Sequence, residues 1–207
     1  MQITGSPHVP SAAPPGNRRQ VFFVSLDDPR VIPMLTELVD EYSSRYGNRF
    51  GGAEQEMLRY PAADFAAPRG ALLIVVQDGE TVAGGAFREF DSETAELKRI
   101  WTSSLHRRRG LASFVLGELE AEASRRGYRR LYLTTGPRQP EAAALYGRSG
   151  YTALFDVDAD PEEVGLLAFE KVIRLARLEA ASAQETSRFH PAEPVSCPRN
   201  ATSQAGA

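Results

Sequence analysis

Apolar and polar positions change their period several times along this chain, and each change predicts an element. Residues 71–76 are an unbroken apolar run, the length of a buried strand and far short of a membrane span. Asp78-Gly79 then predicts a hairpin turn, with residues 81–90 as the partner strand. Asp91-Ser92 turns the chain into residues 95–102, whose β-branched and aromatic content predicts a third strand of this region. Beyond Arg107-Arg108-Arg109-Gly110 the period becomes helical. Leu111, Val115 and Leu119 recur every four residues with Ala112, Leu116 and Ala123 beside them, and Gly127 stands at a left-handed cap position. Residues 131–135 predict a strand, 141–151 a second helix and its exit, and 164–172 a last strand after an acidic loop at 156–163. Upstream, residues 21–24 form a short strand and Pro29 suits a helix start. Ile32, Leu35, Leu38, Val39 and Tyr42 then share one helical face, which Gly47 ends. A short helix is expected at about 53–60.

An antiparallel hairpin region followed by strand, helix, strand, helix and strand implies a three-layer α/β domain with a mixed sheet. With 207 residues and 42% hydrophobic content, the chain can build one domain with a proper core. That domain is expected over 20–175. Residues 1–19 are Pro-rich and predict a disordered leader with no secretory character; residues 176–207 predict a low-complexity disordered tail. No apolar run suits a bilayer, so the expected location is cytoplasmic, with no membrane partner. The net charge of −3 gives no general attraction to nucleic acid. Cys197 is the sole cysteine, which excludes a disulfide framework and a cysteine-rich metal site. With His8 and His190 in the tails and no helical His pair, no metal is expected.

The candidate chemistry lies between Glu96 and Tyr151. A helix start has backbone N–H groups without partners and a positive dipole end, and binds phosphate well. Gly110 removes a Cβ from that approach, and Arg107, Arg108 and Arg109 add charge at the mouth. The stretch is built as a pyrophosphate cradle. It is neither a Walker loop nor a dinucleotide-binding G-x-G-x-x-G. A solvated basic edge is the rival reading.

The run R-x-x-G-x-A from Arg107 to Ala112 resembles the acetyl-CoA signature of the GNAT-type N-acetyltransferases. Ala142 to Tyr151, with Leu145-Tyr146 and Gly150-Tyr151, is similar to the ending of that family's domain. The resemblance covers about residues 20–175. It implies a three-layer GNAT-like fold whose mixed, mostly antiparallel sheet is flanked by helices. The strands before and after the cradle helix diverge there, and the acetyl-CoA thioester lies in the gap. It further implies that Ile100, Trp101 and Thr102 bond the pantetheine arm through their backbones, while Arg107, Arg108, Arg109, Gly110, Leu111 and Ala112 hold the diphosphate. Gln139 stands where the family often has Asn at the cofactor.

Acetyl transfer needs a neutral amine, a donor for the developing oxyanion and a proton or hydrogen bond for the leaving thiolate. Backbone N–H near Ile100 or Trp101 suits the second need. By resemblance, Tyr146 suits the third and Glu96, eleven positions before Arg107, the first. Glu96 reads equally as an ion-pair partner of Lys98 or Arg99, and Tyr146 as core packing. Trp101 reads as packing and His106 as a turn former. Glu41, Tyr42, Tyr46 and Phe65 are candidates for an acceptor pocket, with core and surface roles as their rivals. The expected activity is acetyl transfer from acetyl-CoA to a primary amine, a small molecule, by direct attack. A protein N-terminus or lysine as acceptor, and a non-catalytic acyl-CoA-binding module, are the alternatives. Family members are often dimers, so a homodimer is an expectation.

Overall fold

The computed structural model describes residues 19–47, 52, 55 and 59–174. The expected leader (apart from Arg19), the tail and most of the helix expected at 53–60 lie outside them. The strands are β1 (Gln20–Phe23), β2 (Ala71–Gln77), β3 (Glu80–Glu89), β4 (Thr94–Thr102), β5 (Arg130–Thr135), β6 (Thr152–Ala153) and β7 (Leu167–Val172). They form one sheet in the order β1-β2-β3-β4-β5-β7-β6. The helices among the described residues are α1 (Ile32–Tyr46), α2 (Leu111–Arg125), α3 (Pro140–Arg148) and a single turn, α4 (Pro161–Val164). None is long and apolar enough to cross a membrane. Every strand pairing is antiparallel except that of β4 with β5. This is the expected mixed sheet flanked by helices.

The unbroken apolar run of β2 has a simple cause: the strand is covered on both faces. Leu73 and Val75 join the cluster containing Val115 and Leu119 of α2. Leu72 and Ile74 join the cluster containing Met34 and Leu38 of α1. Burying each such side chain contributes about 1.5–3 kcal/mol, so both layers are anchored through one strand. Next to it, β3 must be thin. A Cβ on Gly84 would lie 2.8 Å from Met34 Sδ, and one on Gly85 would lie 2.7 Å from Ile100 Cδ1 and 3.0 Å from Leu119 Cδ1. Adjacent glycines therefore let a helix approach from each side.

The notch at Gly84 also sets the rotation of α1. Pro29–Val31 forms a 3-10 turn before the α-helix begins, and the buried stripe is Val31, Met34, Leu38 and Tyr46, with Ile32 60% exposed. The expected face, centred on Ile32 and Leu35, is thus turned by about one position. Unbranched Met34 fills the gap over the glycine. Two elements within or near the acidic loop were not foreseen. The two-residue β6 and the four-residue α4 are too short to carry a period, although Asp160 caps α4 by accepting from Glu162 N–H at 2.9 Å.

The pairing of β4 with β5 creates the cleft. It covers only Thr94, Ala95 and Glu96 against Arg130, Leu131 and Tyr132. Beyond that point the two strands part, and the β5-facing edge of β4 from residue 97 onward has no strand partner among the described residues.

Candidate active site

At the diverging strands lies a cleft of about 740 Å³, lined by the open end of β4, the cradle, the ends of β5 and α3, and one side of α1. Its size is that of a small-molecule site.

The cradle takes its shape from two left-handed residues. Arg108 has φ 62° and Gly110 φ 75°, so the chain reverses sharply before entering α2 at Leu111. Gly110 is the N-cap and has no side chain to cap the helix, and among the described residues no side-chain acceptor takes up the amides of its first turn. Gly110, Leu111, Ala112 and Ser113 line the cleft together with Arg107 and Arg108. Arg109 does not. Its guanidinium reaches back to the Leu105 carbonyl at 3.5 Å, away from the others. Space around Gly110 is open, so it is the positive φ, and not crowding, that calls for glycine here.

Ile100, Trp101 and Thr102 line the cleft along the open edge of β4. Trp101 is 3% exposed and packs with the α1 cluster, as a packing residue should. Its indole N–H donates to Glu37 Oε2 at 3.1 Å, and Glu37 also accepts from the Ser104 amide at 3.0 Å. His106 ends the short 3-10 turn Ser104–His106 that leads into the cradle.

Tyr146 lies on α3 and lines the same cleft. Its ring packs on Tyr151 and Phe169 at centroid distances of 5.8 and 5.6 Å. No hydrogen bond to its hydroxyl is formed among the described residues. Burial, with a smaller contribution from Tyr42, holds the phenol well above its ordinary value, so it stays protonated. Packing and an available hydroxyl are both present at this residue. Gln139 also lines the cleft, but its side-chain carbonyl is engaged locally. It accepts from Thr135 Oγ1 at 2.9 Å and from the Gly136 amide at 3.2 Å, closing the turn between β5 and α3.

Glu96 is placed differently. It is buried beneath the cleft wall and does not line the cavity. One carboxylate oxygen accepts from Arg88 Nε at 2.8 Å, and the other pairs with Lys98 Nζ at 2.7 Å. Lys98 was foreseen as a partner; Arg88, reached across the sheet, was not.

One side of α1 closes the mouth. Arg107 donates to Glu41 at 2.8 Å, Glu41 pairs with Arg45 at 3.1 Å, and Arg45 continues to Glu141 and the Arg138 carbonyl at the start of α3. Tyr46 packs against Gly136 and accepts from the Arg138 amide at 3.2 Å. Glu41, Tyr42, Tyr46 and Phe65 all line the cleft. Sequence reasoning does not name Tyr60, which lines the cleft, or Glu37, which holds Trp101, and it places Lys98 and Arg99 only as ion-pair partners of Glu96 and not on the cleft wall. The spacing of Glu37, Glu41 and Arg45, four apart on one helical stripe, was the available signal for that row. No group of three His, Cys, Asp or Glu side chains is placed to hold a metal among the described residues.

Comparison with known proteins agrees with this geometry. Residues 34–151, more than half of the chain, match the family model "Acetyltransferase (GNAT) family". A curated relative, the uncharacterized N-acetyltransferase YsnE of Bacillus subtilis, is 38% identical over 93 residues, covering 42% of this chain and 62% of that protein. The match thus spans less than two thirds of the relative. Among solved structures, yncA from Salmonella typhimurium, determined with its cofactor acetyl-CoA, superposes with a TM-score of 0.56. It is 16% identical, covering 80% of this chain and 99% of that one. The PaiA N-acetyltransferase of Thermoplasma acidophilum, in complex with coenzyme A, gives a TM-score of 0.57. It is 13% identical, covering 75% and 99%. At such identities the structures attest the fold, and the family model attests the membership: the chain belongs to the GNAT family of acetyltransferases.

Proposed function

We propose that this chain transfers the acetyl group of acetyl-CoA to the primary amine of a small molecule by direct attack. The observation that carries the proposal is a convergence: the open edge of β4, the uncapped start of α2 and Tyr146 line one cleft. Amides at the α2 start and the Arg107 and Arg108 side chains would hold the diphosphate. In doing so the diphosphate would compete with Glu41 for Arg107. Backbone groups of Ile100, Trp101 and Thr102 would pair with the pantetheine arm as a neighbouring strand would. That solved relatives of the same fold hold acetyl-CoA or coenzyme A supports this assignment.

In the transfer, the amine nitrogen bonds to the thioester carbon and the carbon–sulfur bond breaks. The nitrogen's proton passes to water, and the sulfur leaves as a thiolate that takes a proton from water to end as a thiol. An alkyl thiol has a pKa near 8.5 and a phenol near 10, so net proton transfer from Tyr146 to sulfur is uphill by about 2 kcal/mol before burial is counted. Burial increases that gap. Tyr146 therefore donates a hydrogen bond to the departing sulfur and does not itself ionise. Glu96, with both oxygens held by cations, serves in this proposal to position Lys98, and the amine loses its proton to water. Calorimetry with acetyl-CoA, paired with a free-thiol assay over an amine panel, tests the proposal. Binding together with acceptor-dependent thiol release is expected. Binding without release would instead indicate a non-catalytic acyl-CoA module.

A further inference from the structure

Between β3 and β4 the register slips. Ala86 pairs with Lys98 but Gly84 pairs with Trp101, so β4 carries one extra residue, and Arg99 there has φ 58°. A bulge of this kind breaks the alternation of side chains. Lys98 Nζ lies 5.2 Å from the Tyr60 ring centroid and Arg99 Cζ lies 4.3 Å from that of Phe65. Ile100 points to the opposite face, at Gly85. Two consecutive cations thus line the acceptor side of the cleft.

Behind Lys98 runs a chain of alternating charge. Asp64 lies 3.9 Å from Arg88, Arg88 lies 2.8 Å from Glu96, and Glu96 lies 2.7 Å from Lys98. Of these four, only Lys98 lines the cleft. The relay neutralises itself internally and ends, at the cavity, on an ammonium. That group has three N–H donors. Among the described residues one is spent on Glu96 and the remaining close neighbour is the face of Tyr60. The Lys98 side chain is 16% exposed and lines the cleft, so its remaining donors are available to a molecule bound there. Such a group favours an anionic partner.

Resting on the transferase reading, we propose that the acceptor is a primary amine that also carries a carboxylate, and that Lys98 holds the carboxylate. Tyr42, Tyr60 and Phe65 supply a wall for an apolar body between the two groups. The chemistry of the nucleophile fits as well. A nearby like charge disfavours the ammonium form of an amine, so the cation that binds the carboxylate also favours the neutral, reactive nitrogen. A plain amine would meet the repulsion without the compensating attraction.

The test uses the full chain with acetyl-CoA and a thiol-release assay. Leucine and phenylalanine are compared with their amides and their decarboxylated amines, with rates corrected for the fraction of neutral amine. The acids are expected to have the highest kcat/KM. In Lys98→Met the acid-over-amide ratio should fall by roughly ten- to a hundredfold, the range for a hydrogen bond to a charged group. Lys98→Arg should restore part of it. Amides or plain amines matching the acids in the native chain, or a ratio unmoved by Lys98→Met, overturns the proposal and leaves the transferase reading intact. Acetyl-CoA binding without thiol release from any amine removes that reading and this proposal with it. Should Lys98→Met fail to bind acetyl-CoA, the ratio in the native chain alone decides.

Discussion

Glu96→Gln separates two roles that the same buried carboxylate could fill. The side chain is 6% exposed, and its partners Arg88 and Lys98 are 22% and 16% exposed. Glutamine keeps the shape and removes the charge, leaving two largely buried cations opposite a neutral amide. Breaking a buried ion pair by removing one partner costs about 3–5 kcal/mol. Two features reduce that here. Arg88 keeps Asp64 at 3.9 Å and the Tyr60 ring at 4.3 Å, and Lys98 can turn into the cleft. The expected loss is about 2–4 kcal/mol, read as a lower urea midpoint with an unchanged slope. Kinetically, the positioning role predicts a higher KM for the acceptor and a pH profile of unchanged shape. A stability loss below about 1 kcal/mol, well under that for a broken buried pair, together with disappearance of the acidic limb of kcat/KM, would refute the positioning role. Glu96 would then be the base.

Tyr146→Phe should lower kcat by roughly ten- to a hundredfold, as for a hydrogen bond to a developing anion, with acetyl-CoA affinity nearly unchanged; equal kinetics would remove Tyr146 from the chemistry. Because burial raises the phenol above its ordinary value, the donor is lost only as pH climbs beyond about 10. The native and Phe profiles should therefore run parallel below that pH, and a Tyr146-dependent limb near pH 8 would contradict this. Gly110→Val forces a β-branched residue to φ 75° and should cost at least about 1–2 kcal/mol, with acetyl-CoA bound at least several-fold more weakly; an unaltered Kd would place the diphosphate elsewhere. Gly85→Ala should lose about 1–3 kcal/mol by overpacking against Ile100, Val115 and Leu119, and a neutral result in thermal unfolding would show that α2 can shift.

The cradle was legible because its signal is local. A strand, a turn needing a positive φ, and an amphipathic helix follow one another directly between Thr94 and Arg125, and Gly110 marks the turn. β2 was legible because burial on both faces leaves no polar residue in the run. The rotation of α1 was not, since Gly84, which receives Met34, lies fifty positions away in β3. Nor was the bulge at Arg99: a one-residue slip against β3 shows only when both strands are paired. Through that slip Lys98 and Arg99 share a face, and the pocket's charge hides from any period-two reading. Arg109 shows the converse. It belongs to the motif by spacing, yet the left-handed Arg108 turns it out of the cleft.

Hydrogen exchange at the amides of Leu111, Ala112 and Ser113, with and without acetyl-CoA, tests the central assignment most directly. Bound diphosphate should slow exchange at these three amides more than at the rest of α2, and high salt should weaken the effect. Saturating acetyl-CoA that leaves their exchange unchanged would contradict the account.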